Sequence, residues 1–211
     1  ELSAKELRLG GLRIDPKTNI GSRVTYYNNV KIRNLKNQNS EIIQVKGLPK
    51  NPKLSNISWS PDQKRIALTN TTETGVELWV LELENGSVTK LTESNLNSNI
   101  GSVINWFSDS ENMLVKMISN NRRPLIDTNK IVPDGPTIST NFGEKAQNRT
   151  YQDLLKNKFD EHNFEQLSTS TIYKVSIDGS VKKWMDDGMY RTISFSPNGE
   201  YVMISQINKP F

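Results

Sequence analysis

Cysteine is missing from all 211 residues, which excludes a disulfide framework and any thiolate metal site. Histidine occurs once, so no site built from several imidazoles is possible, and a serine–histidine–carboxylate triad would have to use His162 alone. His162 stands beside Asp160 and Glu161 in a stretch of helical spacing, where a packed or solvated ring is expected rather than a general base. No G-x-S-x-G turn occurs to present a nucleophilic serine. Gly10-Gly11 lacks the Lys-Ser or Lys-Thr of a phosphate loop and reads as a turn. The acidic stretches 109–111, 160–161 and 186–187 lack the alternating oxygen spacing of a calcium loop. No apolar run approaches the ~18 residues a membrane span needs, so no membrane partner is expected. These residues therefore give no catalytic group, no metal site and no cofactor.

Apolar residues are also scarce, at 34%, while there are 24 asparagines and 9 prolines. That balance favours many turns and short strands over long buried helices, so an all-β fold is expected. The formal charge is +4, from 27 basic and 23 acidic residues. Arg122-Arg123 and Lys182-Lys183 are the tightest basic pairs, and without a denser stripe no nucleic-acid partner is expected. The chain starts at Glu1 without Met, as a processed or truncated product would.

What is present is a repeat. "ISWSPDQKRIAL" at 57–68, "INWFSDSENMLV" at 104–115 and "ISFSPNGEYVMI" at 193–204 align without a gap. Apolar residues recur at the same four places: Ile57, Trp59, Ile66, Leu68; Ile104, Trp106, Met113, Val115; Ile193, Phe195, Val202, Ile204. Period-two alternation puts each set on one face of a hairpin. Pro61 and Pro197 suit the second turn position and Gly199 a left-handed one; Gln63 and Ser108-Asp109-Ser110 depart from that pattern, so the turn geometry is read as degenerate. A second hairpin follows, since "ELWVLELENGSVTKL" at 77–91 matches "TIYKVSIDGSVKKW" at 171–184. A weaker copy lies at 28–45.

Four strands per repeat and an interval of 47 between residues 57 and 104 match the ~40–50-residue blades of β-propellers. A partial β-propeller of four-stranded antiparallel blades is expected over 1–211, with repeats near 25–50, 55–92, 102–118 plus 170–185, and 190–207. The interval from 104 to 193 is nearly twice the first, which places an insertion at 119–168 inside one blade. Within it, Tyr151, Leu154, Leu155, Phe159 and His162 fall at helical spacing, and Thr150 with Asp153 resembles a capping box, so a helix is expected at about 150–167. A long insertion in a compact domain is a candidate functional appendage. Its arginines, Arg122, Arg123 and Arg149, are the candidate substrate-binding residues, because a guanidinium holds a carboxylate by paired hydrogen bonds.

"WSPDQKRIALTN", "VELWVLELENGSVTKLT" and "ISFSPNGEYVMI" resemble blades of TolB-like and prolyl oligopeptidase propellers. "GLRIDPKTN", "NRRPLIDTNKIVPDGPTIS" and "KAQNRTYQDLLKNKFDEHNFEQL" are similar to the amino-terminal half of bacterial prolyl-oligopeptidase-family proteins related to plastid glutamyl endopeptidases. The resemblance implies a propeller that gates access of peptides to a serine peptidase domain of α/β-hydrolase type. That domain has no counterpart in these residues, so the chain alone is not expected to be an enzyme. It further implies a periplasmic or secreted location, and a peptide substrate reached through the parent's catalytic domain. Blades and a hydrolase domain beyond this chain are the partners expected, and exposed sheet edges make edge-to-edge self-association a further expectation. A non-enzymatic TolB-like propeller that binds a protein or peptide is the alternative.

Overall fold

The computed structural model describes residues 6–35, 42–127, 130, 135, 143 and 152–211. Three short strands, β1 (Leu7–Leu9), β2 (Leu12–Asp15) and β3 (Ile20–Gly21), form a first sheet that turns at Gly10-Gly11. A two-stranded ladder joins β4 (Lys31–Ile32) and β5 (Ile43–Gln44). Two four-stranded antiparallel sheets follow. The first runs β6 (Leu54–Trp59), β7 (Arg65–Thr71), β8 (Val76–Glu82), β9 (Val88–Lys90); the second runs β10 (Ile104–Trp106), β11 (Asn112–Ile118), β12 (Ser170–Ser176), β13 (Val181–Gly188). A last pair joins β14 (Tyr190–Phe195) and β15 (Val202–Gln206). Helix α1 (Lys158–Ser168) falls between β11 and β12 in the chain. Strands adjacent in sequence are adjacent in each four-stranded sheet, which is the form of a propeller blade. The chain is a partial β-propeller with one loop-plus-helix insertion.

The alternation in the repeats now has a physical meaning. Ile66 and Leu68 of β7 turn to one face, with Trp79, Leu81 and Leu83, and pack on Val30, Ile32 and Val45. Ala67, with Val76, Leu78 and Val80 of β8, turns to the other face and meets Ile104, Trp106, Met113 and Val115 of the second sheet. The back of that second sheet presents Leu114 and Ile172 to Ile193, Phe195, Val202 and Ile204. The second and third repeated apolar sets therefore pack on the back of the sheet before them, and Ile66 and Leu68 of the first set do likewise, while Ile57 and Trp59 stay exposed. Full burial of such a side chain is worth about 1.5–3 kcal/mol, so the stacking between sheets, more than any single ladder, holds the fold.

The turns are more regular than their sequences suggest. Gln63 (φ 60°), Ser110 (φ 60°) and Gly199 (φ 73°) hold the same place in the three copies, and all are left-handed. Immediately before that left-handed residue, Asp62, Asp109 and Asn198 each accept a hydrogen bond from an amide two positions on, at 3.1, 2.9 and 3.2 Å. The reading of these turns as degenerate is thus corrected: an aspartate or asparagine fixes one geometry whether or not proline precedes it. The turns also touch one another, since the Asp62 amide donates to Ser110 Oγ (2.9 Å). A Cβ on Gly199 would lie 2.4 Å from Ser108 Oγ, so a side chain there would have to displace that serine.

The insertion splits a blade without disturbing it. β11 and β12 pair in continuous register from Asn112↔Ser176 to Ile118↔Ser170, across the whole excursion. The helix is shorter than the expected 150–167. Thr150 and Tyr151 lie outside the described residues; Asp153 has φ 59° and is not helical. Asn157 is the true N-cap, its side chain accepting from the amides of Phe159 and Asp160 at 2.9 Å. Asp160 and Glu161 then sit in the first turn, where the helix dipole favours negative charge.

Candidate functional site

Antiparallel pairing decides where the insertion emerges. Ile118 lies opposite Ser170, Ser170 opposite Gly188, and Tyr190 opposite Gln206. The insertion thus leaves and returns at the end of the sheets opposite the Asp/Asn turns, and α1 settles there. Phe164 and Leu167 on its buried face pack with Leu9, Ile14, Ile100 and Met189. Ile100 and Met189 belong to the segments that lead into β10 and β14, so one helix joins the first hairpin to two successive blades. Gly10 makes room for this, since a Cβ there would lie 2.9 Å from the Phe164 ring. Asp153 completes the contact, its carbonyl accepting from the Gly11 amide (3.1 Å) and its carboxylate pairing with Arg13 (3.4 Å).

Polar side chains of α1 hold the segment that enters the insertion. Asn163 accepts from the Ile126 amide and donates to its carbonyl, both at 2.8 Å. Gln166 accepts from the Arg123 amide (2.7 Å). His162 Nε2 lies 3.0 Å from the Pro124 carbonyl, so the ring donates there and serves as a structural tie, as its sequence setting suggests. The last carbonyls of the helix are met from the blade: Leu167 accepts from Asn97 (3.0 Å) and Asn99 (2.8 Å).

The three candidate arginines do not form one cluster. Arg123 is exposed and lies 3.9 Å from the Glu165 carboxylate, which also takes Lys209 at 2.8 Å. Arg122 is half-buried and donates to the Asn19 side chain in the β2–β3 turn. Burial pushes its guanidinium pKa down, yet an arginine stays charged at neutral pH. Arg149 lies outside the described residues. Among the described residues no group of histidines and carboxylates is placed to hold a metal.

Two other charged groups matter: Lys116 was not singled out from the sequence, and Asp187 entered only within the acidic stretch 186–187, which lies in β13. Lys116 of β11 is 1% exposed, and its ammonium donates to the carbonyls of Ile100 and Tyr190 (3.4 Å to the latter). Burial pushes its pKa down to about 8. A signal existed: this is the one lysine in a strand flanked by Leu114, Val115 and Met117, at the place where the other copies carry Thr69 and Ser205. Asp187 accepts from Ser119 (2.6 Å), Asn121 (2.9 Å) and Thr171. Burial opposes its charge, but those hydrogen bonds, with Lys183 nearby, hold the carboxyl below its ordinary range. Asp187 also borders a groove of about 420 Å³ beside Glu165, Met189, Lys209 and Phe211.

No family model matches the sequence. Two curated proteins do. The chain is 30% identical, over its entire length, to a probable chloroplastic glutamyl endopeptidase of Oryza sativa subsp. japonica, and 30% identical to one of Arabidopsis thaliana. This chain is similar to glutamyl endopeptidases from end to end. It spans 24% and 23% of the lengths of those relatives. The insertion is included in the glutamyl endopeptidase match, because all of the chain is covered. Among solved structures, a putative TolB from Agrobacterium tumefaciens superposes with a TM-score of 0.43 at 14% identity, over 79% of this chain and 42% of that one. Acylaminoacyl peptidase of Pyrococcus horikoshii gives 0.43 at 18% identity, over 82% and 22%. The blade assignment stands on the register and packing of the sheets themselves.

Proposed function

We propose that this chain is the propeller portion of a serine peptidase that acts on peptides, and that it gates their access to an α/β-hydrolase domain carried on a longer polypeptide. The observation that carries the reading is the end-to-end similarity to glutamyl endopeptidases. It is supported by what the residues lack: there is no nucleophile elbow, and the one imidazole is tied to a backbone carbonyl. Selection of the peptide is assigned to the insertion end, where Arg122 has no carboxylate within salt-bridge distance among the described residues and Arg123 lies 3.9 Å from Glu165. Arg149 completes the proposed set. A periplasmic or secreted location belongs to the same proposal.

The test compares two proteins. The 211-residue chain alone is expected to hydrolyse no peptide in an inhibitor-sensitive manner. The full-length gene product is expected to cleave peptides, to lose that activity to a serine-reactive inhibitor, and to show a raised KM for acidic peptides with Arg122→Ala. Turnover by the isolated chain, or a full-length product without serine-dependent hydrolysis, overturns the proposal. A full-length product that binds peptides but does not cleave them identifies a binding propeller instead.

A further inference from the structure

We infer that α1 is a releasable strap: it leaves the blades as one cooperative unit, uncovers the ammonium of Lys116, and leaves the sheets beneath it folded. The inference goes beyond the peptidase reading and does not rest on it.

The strap is held by side chains, whereas the floor beneath it is held by backbone. Among the described residues no backbone hydrogen bond joins Lys158–Ser168 to a strand of the blades. Phe164 and Leu167 supply the apolar contact, and the Asn97 and Asn99 side chains reach the last carbonyls of the helix. Glu165 adds pairs with Lys209 and Arg123, whose side chains are exposed, and pairs of that kind contribute little. The floor is different. The Asn97 amide donates to the Lys116 carbonyl (2.9 Å), the Lys116 amide to the Val103 carbonyl (3.1 Å) and the Ile118 amide to the Asn95 carbonyl (2.8 Å). β11 and β12 extend it in unbroken register. The base of the insertion is fastened separately, where Ser119 and Asn121 donate to Asp187, so the strap can swing beyond that point. Releasing α1 breaks no ladder.

Two features of the contact oppose its closure. Lys116 donates to the carbonyls of Ile100 and Tyr190, and α1 covers those segments, since Ile100 and Met189 pack with Phe164 and Leu167. The ammonium is thus enclosed by carbonyls, with no carboxylate within salt-bridge distance among the described residues. A buried charge without a counter-charge is disfavoured, and water reaching it removes that penalty. The second feature is a pair of orphaned atoms. Asn99 Oδ1 and Ser168 Oγ are buried without a hydrogen-bond partner, and both lie at this contact, because Asn99 donates to the carbonyl of Leu167, the neighbour of Ser168. Release gives all three groups water. With 11 residues α1 is too short to keep its turns in water by itself, so leaving and melting are one event.

The absence of cysteine lets single thiols report the opening. Ser168→Cys places a thiol under the strap and Val80→Cys places one between the two complete sheets, at residues 2% and 4% exposed. With a thiol reagent in native buffer, Ser168→Cys is expected to react at least about 100-fold faster than Val80→Cys, at a rate almost independent of urea below the unfolding transition. Met113→Ala weakens the sheets and not the strap. It is expected to speed the Val80→Cys thiol at least about tenfold and to leave the Ser168→Cys thiol within about twofold. Acylation of Lys116, read by mass spectrometry, is expected to share that indifference to Met113→Ala. Two thiols that react at one rate with one urea dependence overturn the inference, because α1 then leaves only when the sheets unfold. So does a Met113→Ala chain in which the Ser168→Cys thiol or Lys116 is speeded as much as the Val80→Cys thiol.

Discussion

At the scale of single residues, two kinds of site carry a cost that substitution exposes. Gln63 holds a left-handed turn position that Gly199 fills in the third copy. Gln63→Gly is expected to raise stability by about 0.5–1 kcal/mol, read as a shift in the urea midpoint, because glycine meets no Cβ penalty there. Lys116 is the other kind. Its folded pKa, about 8, lies below the unfolded value near 10.5, so between those pH values the unfolded chain binds more protons and stability rises with pH. Lys116→Met removes this dependence, although it leaves the carbonyls of Ile100 and Tyr190 without their donor. The stability of the variant minus that of wild type is therefore expected to fall by about 2 kcal/mol from pH 7 to pH 10, measured by chemical denaturation. A difference that stays flat or grows with pH would mean that the ammonium is not desolvated.

At the scale of elements, α1 depends on its cap and on its polar ties more than on a broad apolar face. Asn157→Ala removes the acceptor of two amides and is expected to cost about 1 kcal/mol, with faster hydrogen exchange over 158–161. Asn163→Ala severs both bonds to Ile126 and is expected to free the entering segment, so that protease cuts near 123–127 sooner while the blades stay protected. The strands were legible in the sequence because their signal is local: apolar residues at period two, repeated three times, fix faces and register. The place of the insertion was legible for the same reason, as a lengthened interval. The start of the helix was not, because Asp153 is claimed by Gly11 and Arg13, residues more than a hundred positions away. Nor was the arrangement of the arginines, since Arg122 is set by Asn19 in a distant turn and Arg123 by a helix whose register had to be known first.

At the scale of the whole molecule, the second and third repeats pack their apolar sets on the back of the sheet before them. Burial should then predict cost. Met113→Ala, inside the stack between the two complete sheets, is expected to lose about 2–5 kcal/mol. Ile57→Ala, at a position 43% exposed, should cost far less. The most direct measurement is the set of nuclear Overhauser contacts in the deuterated, methyl-labelled chain. Backbone contacts are expected between Asn112 and Ser176 and onward to Ile118 and Ser170, with methyl contacts from Val80 and Leu78 to Met113 and Val115. Contacts that instead pair β11 with a strand other than β12 on its outer edge, or that separate Leu78 from Met113 and Val115, would contradict the account.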